Sequence, residues 1–172
     1  MYLGFYNFYS RYNQNRMFTN PRSDIGDELA YPYVRLSQRL TERGIRHATL
    51  DMDDLSRFDA VIFFDFPTLL NRYFLRLAAR RHPRLYLVLF EGPAVRPDNY
   101  FRPHHRPFRK IFTWHSDWVD GKKYLHSPFP IKLPAVAPYT PSQASRFLCM
   151  IASQKYSWHR QELYSELSLI HI

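Results

Sequence analysis

One cysteine in 172 residues excludes an internal disulfide framework and a cysteine-based zinc site. Cys149 lies within the apolar run Phe147-Leu-Cys-Met-Ile-Ala152, where a small buried core residue is expected. Glycine is scarce too. None of the five glycines are spaced as G-x-G-x-x-G, so the glycine-rich dinucleotide turn is absent. No apolar stretch is long enough to span a bilayer. The N-terminal run Met1-Tyr-Leu-Gly-Phe-Tyr-Asn-Phe-Tyr9 has no basic segment ahead of its apolar residues, and polar residues interrupt it too early for a signal peptide. The expectation is a cytoplasmic protein able to rest peripherally on the inner membrane through a basic surface. Acidic residues are in deficit, 15 against 24 Lys and Arg, which gives a formal charge of +9 and implies an anionic partner. The positive charge is mostly scattered arginine, with no lysine-rich block, so no specific nucleic-acid partner is expected.

What the chain does have is apolar and aromatic character, 45% and 17%, enough for the core of one ordinary domain and a little more. The segment Leu85-Tyr-Leu-Val-Leu-Phe-Glu91-Gly-Pro93 is the most informative. Its apolar run ends abruptly at a carboxylate and a turn, as a buried parallel strand does at the C-terminal edge of a sheet. Open α/β sheets bind ligands at that edge. Glu91 is therefore a candidate catalytic base, beside the plainer reading of a solvated strand-end carboxylate.

Other elements follow the same logic. Residues 2–9 read as a first strand and residues 11–24 as a polar, aromatic loop. Asp27 can cap a helix that carries Leu29, Tyr33, Leu36 and Leu40 and ends at Gly44, with Pro32 tolerated near its first turn. Residues 46–52 and 59–67 read as strands, the latter also ending in a carboxylate, Asp65. Residues 68–81 fit a helix with Leu69, Leu70, Tyr73, Phe74 and Leu77 inward. Ile111–Trp114 is a further short strand. Strands alternating with helices predict an α/β fold, a Rossmann-like parallel sheet with flanking helices. Pro134, Pro138 and Pro141 mark an interdomain linker over 133–145, so residues 1–132 form one domain. Residues 146–152 begin a second with a strand, followed by a helix that Ser157 can cap.

Between that strand and helix lie Ser153 and Lys155, and the helix carries Arg160. A helix start with two fixed positive charges suits a diphosphate, although a plain strand-to-helix turn with solvated basic residues has the same pattern. His104-His105, set among Arg and Pro, reads as a basic surface loop, and no metal site is expected there. Trp114-His115-Ser116-Asp117 holds triad residue types as sequence neighbours, an arrangement that triads assembled across a fold do not use. The rings between Tyr6 and Phe18 could stack on sugars or pack against protein.

Several ordered blocks carry a family likeness. The runs Phe90-Glu91-Gly-Pro-Ala-Val-Arg96-Pro-Asp98-Asn99-Tyr100, Phe108-Arg-Lys-Ile-Phe112-Thr-Trp114-His-Ser-Asp117 and Asp120-Gly-Lys-Lys-Tyr124 resemble the acceptor domain of glycosyltransferase family 10, the α-1,3/4-fucosyltransferases, and bacterial members acting on lipopolysaccharide in particular. Ile151-Ala-Ser153-Gln154-Lys155 and Arg160-Gln-Glu-Leu-Tyr164 resemble the start of that family's donor domain. The resemblance implies two Rossmann-like domains in the GT-B arrangement and inverting transfer of fucose from GDP-fucose to a glycan acceptor, with no tightly bound cofactor or metal. It implies Glu91 as general base and Arg160 as a contact of the nucleotide diphosphate, with Lys155 and Ser153 beside it.

The chain departs from the family at Gln154, where Asn is common, and at Gly92, where animal members have Ser. The family's second block, a Glu-Lys donor motif, is absent. The expectation is a chain truncated within its donor domain (residues 146–172), inactive alone, with residues 167–172 extraneous. Two other readings stay open: a basic α/β module that binds an anionic ligand such as nucleic acid or acidic membrane, and a GT-B enzyme that uses another nucleotide sugar.

Overall fold

A computed structural model describes residues 1–21, 29–130, 132 and 162. The chain divides into two units, Met1–Lys132 and Leu133–Ile172. The sheet and both long helices belong to the first. The expected Asp27 cap, the linker, the strand with Cys149, the Ser157 cap and the basic residues Ser153-flanked Lys155 and Arg160 lie outside the described residues.

Six strands are described: β1 (Tyr2–Asn7), β2 (Arg46–Thr49), β3 (Ala60–Phe64), β4 (Leu85–Leu89), β5 (Lys110–Thr113) and β6 (Tyr124–His126). All pair in parallel, in the order β2-β1-β3-β4-β5-β6. This is the α/β parallel sheet that the alternating pattern predicts. The order reverses at the β1/β3 boundary, because the chain steps outward to β2 and returns past β1 to β3. Such a switch point opens a crevice beyond the carboxyl ends of the strands.

Helix α1 (Tyr31–Glu42) links β1 to β2, and α2 (Arg72–Ala79) links β3 to β4. Pro32 sits in the first turn of α1, where its missing N–H costs nothing. Gly44 ends the helix at a φ of +66°, and the Ile45 N–H bonds back to the Leu40 carbonyl at 2.9 Å. Leu36 and Tyr33 pack inward and Leu40 is buried, but Leu29 precedes the helix and is exposed.

The second helix corrects the sequence reading. It starts at Arg72, because the Asn71 side chain accepts from the N–H groups of Tyr73 and Phe74 at 3.1 and 3.0 Å and so caps it. Leu69 and Leu70 fall ahead of that cap and are exposed rather than inward. The expected loop after β1 contains two 3-10 turns, Ser10–Tyr12 and Arg16–Phe18, that bury Tyr12, Met17 and Phe18.

Two cores form, one on each face of the sheet. Val61, Phe63, Leu85, Leu87 and Ile111 point to the face covered by Phe74 and Leu77 of α2 and by Phe108. Phe5, Phe64 and the partly buried Ile62 and Val88 point to the face under Tyr33 and Leu40 of α1. Burial on both faces is why β3 and β4 read as unbroken apolar runs rather than alternating ones. Gly4 of β1 is where side-chain bulk is excluded. A Cβ there would lie 2.5 Å from a Leu50 methyl and 2.9 Å from the Phe58 ring. Gly4→Ala should lower the unfolding free energy by about 1–3 kcal/mol through overpacking, and urea denaturation of the pair measures it.

Candidate functional site

The last residues of β1, β3 and β4 converge on a cleft of about 100 Å³ at the switch point, lined by Asn7, Tyr9, Tyr33, Asp65, Glu91 and Phe129, among others. Two carboxylates face it. Glu91, the residue singled out from sequence, follows the end of β4, and its half-buried side chain is part of the cleft wall.

What fixes Glu91 is Asp65, only 2% exposed. Asp65 adopts a left-handed backbone, φ +60°, a conformation that Asp tolerates better than most residues. This folds its side chain back over the end of the sheet. Oδ1 accepts three hydrogen bonds, from the N–H of Phe90 at 2.7 Å, the N–H of Glu91 at 3.0 Å and Nδ2 of Asn99 at 2.7 Å. Burial pushes the Asp65 carboxyl up, opposed by those donors and by Arg96.

Asn99 is fully buried and ties the turn from the other side. Its Nδ2 also donates to the Glu91 carbonyl at 3.1 Å, and its Oδ1 accepts from the Phe66 N–H at 2.7 Å. Glu91 is thus held at both its N–H and its C=O. Arg96 donates to the Phe66 carbonyl and lies 4.6 Å over the Phe8 ring. Trp114 Nε1 donates to the Phe90 carbonyl at 3.1 Å.

His105 supports Asn99 in turn, and here the expected surface loop is overturned. His105 is 1% exposed. Its Nε2 lies 3.0 Å from the Asn99 carbonyl and its Nδ1 lies 3.0 Å from the Tyr124 hydroxyl. A carbonyl only accepts, so Nε2 carries the proton and the Tyr124 hydroxyl donates to Nδ1. Both nitrogens are used by the neutral ring, and burial lowers its pKa to about 4. His104 remains half-buried, stacked on Phe66 at 4.5 Å. Strand β6, which supplies Tyr124, is absent from the sequence reading.

The tyrosines report the electrostatics. Burial pushes the Tyr9 hydroxyl up, and the Glu91 charge adds to this. The buried Tyr33 hydroxyl is pushed up further, by burial first and then by Tyr12 and Asp65. The cleft thus holds two carboxylates, Asp65 and Glu91, with Arg11 and several aromatic rings also in its lining. Among the described residues, no group of three or more His, Cys, Asp or Glu is placed to hold a metal ion.

Of the predicted site residues, Glu91 lies in the cleft, while Ser153, Lys155 and Arg160 are not among the described residues. Asp65, Asn99 and Tyr33 were not singled out. For Asp65 the signal was present, an apolar strand ending in a carboxylate like that of Glu91.

Asp65→Ala should cost about 3 kcal/mol of stability, since it orphans buried donors, and Asp65→Asn should cost less because Oδ1 remains an acceptor. Chemical denaturation ranks the two. A second expectation concerns pH. The His105 pKa is 6.5 unfolded and about 4 folded, so its stabilising contribution is complete above 6.5 and is lost as pH falls through 4. His105→Gln keeps a donor and an acceptor but cannot titrate. Its unfolding free energy should fall less than that of the parent between those two pH values.

No protein family matches the chain, and neither does any curated protein or solved structure.

Proposed function

We propose that the first unit is the acceptor half of an inverting glycosyltransferase of the fucosyltransferase type, with the cleft at the β1/β3 switch point as its acceptor site. The observation that carries this is the pair of carboxylates, one pinned by its backbone, in a cleft lined also by tyrosine and phenylalanine rings. A neutral polyol suits such a site. Its hydroxyls donate to carboxylates and its C–H faces lie against rings. A phosphate or a nucleic-acid backbone would meet two carboxylates there against the one arginine of the lining, Arg11. The named family, and with it GDP-fucose as donor, rests on the sequence resemblance.

In this reading Glu91 is the general base. The acceptor hydroxyl gives its proton to Glu91 as its oxygen forms a bond to the anomeric carbon of fucose. The bond from that carbon to the β-phosphate oxygen breaks, and GDP leaves with the electron pair. Arg160, Lys155 and Ser153 would offset the charge that grows on the diphosphate. Asp65 and Asn99 touch no reacting atom. They hold the Glu91 backbone, and so the base, in one place before the acceptor arrives. The glycan acceptor belongs to surface-glycan synthesis in this reading, which places the enzyme on the cytoplasmic side.

Two measurements test it. Trp114, bonded to the Phe90 carbonyl, is a fluorescence reporter beside the cleft. Titration of this chain with neutral oligosaccharides should change its emission, and Tyr33→Ala should weaken that response. If folded protein gives no response to any neutral glycan, the acceptor assignment fails. In a chain extended through a complete donor domain, Glu91→Gln should reduce turnover by about 10²–10⁴-fold and leave GDP-fucose affinity unchanged. Retained turnover removes Glu91 as the base.

A further inference from the structure

The opposite end of the sheet carries a different charge. In an all-parallel sheet every strand starts at the same edge. That edge receives Arg46 at the start of β2, Arg84 just ahead of β4, Arg109 and Lys110 at the start of β5, and Lys122 and Lys123 just ahead of β6. Helices that return between parallel strands run the other way, so α2 delivers Arg80 and Arg81 to this edge and α1 delivers Arg43. All are exposed except the half-buried Lys110 and Lys123.

Asp54 lies within electrostatic reach of Arg80 and Arg76 and offsets part of the row, while other acidic residues nearby are engaged elsewhere. Asp53 pairs with Arg57 at 2.8 Å, and Asp59 with the N-terminal amine at 3.9 Å. Asp120 Oδ1 is turned onto the backbone N–H groups of Lys122, Lys123 and Tyr124 at 2.7, 2.8 and 2.9 Å. Among the described residues, the ion pairs include none of Arg80, Arg81, Arg84 and Arg109. At about 4.8 Å per strand, five spacings make the row about 24 Å wide.

We propose that this amino edge of the sheet docks on an anionic phospholipid surface. A broad row of exposed arginine and lysine, presented on short loops and helix ends, matches a field of headgroup phosphates. A single-stranded nucleic acid would in addition need rings to stack on. Among the described residues the exposed aromatics are Tyr9, Phe101, Trp114 and Phe129, and Tyr9, Trp114 and Phe129 follow the carboxyl ends of β1, β5 and β6, far from the row. Docked by its amino edge, the first unit would hold the acceptor cleft on its side away from the bilayer. The docking does not depend on what the cleft binds.

Co-sedimentation of the whole chain with phosphatidylglycerol-containing vesicles tests this, against pure phosphatidylcholine vesicles. Binding should require the anionic lipid and weaken as salt is raised. Reversing Arg84→Glu, Arg109→Glu and Lys122→Glu together should lower it at least tenfold. Reversing Arg16→Glu, Arg35→Glu and Arg72→Glu, which changes net charge equally away from the row, should leave most of it, with circular dichroism confirming that both variants fold. Equal loss in both variants would mean diffuse charge attraction and would overturn the assignment. So would unchanged binding of the first variant, or tighter binding to single-stranded DNA or RNA than to the anionic vesicles at the same salt.

Discussion

One carboxylate oxygen organises the functional end of this protein. Asp65 Oδ1 collects N–H groups from the end of β4 and from Asn99, and so extends the link between the paired strands β3 and β4 past the end of their ladder and ties in the Asn99 segment. The ends of β3 and β4 would otherwise splay where the ladder stops, leaving N–H groups buried without partners. An aspartate meets the need because its side chain is short enough to fold back from a left-handed residue. A glutamate would carry its carboxylate beyond the two N–H groups. Burial works against the charge and the three donors work for it, and the arrangement persists because Asn99 and His105 hold those donors in place.

The consequence for Glu91 is a division of labour between two strand-end acids. Asp65 Oδ1 is spent on two backbone N–H groups and the Asn99 amide, and Glu91 has its backbone held so that its side chain can face the cleft. The cleft that Tyr9 and Tyr33 share with these acids carries two carboxylates against one arginine, Arg11. A site with that sign inside a chain of net charge +9 means that positive charge is sorted elsewhere.

Much of this was legible in the sequence, and what was not has physical causes. Strands β3 and β4 are buried on both faces, so composition alone marks them, and the Gly92-Pro93 turn marks where Glu91 emerges. Strand β6 is three residues long and flanked by polar turns, too short for a periodic signal. Leu69 and Leu70 continue the apolar spacing of α2 backwards, but the Asn71 cap decides where the helix starts, and a cap is a local hydrogen bond rather than a pattern. His105 sits among arginine and proline and looks solvated. Its burial comes from Tyr124, nineteen residues away, and no local rule sees that pairing. Asp65 and Glu91 end their strands alike in sequence. Only the backbone turn at Asp65, with its positive φ, sends one inward.

The same constraint sorts charge along the strand direction. Parallel strands force the connecting helices to run antiparallel to them, so helix N-termini collect at the carboxyl edge and C-termini at the amino edge. The start of α1, with Pro32 and Tyr33, lines the cleft, and its partial positive charge offsets part of the cost of holding two carboxylates there. The C-terminal ends of α1 and α2 carry the opposite partial charge, and Arg43, Arg80 and Arg81 gather against it. Sheets themselves have little net dipole, so the helices set the polarity. An acid-bearing cleft at one end and a basic row at the other are therefore two outcomes of a single topological choice, and a parallel sheet of this order favours both before any ligand is considered.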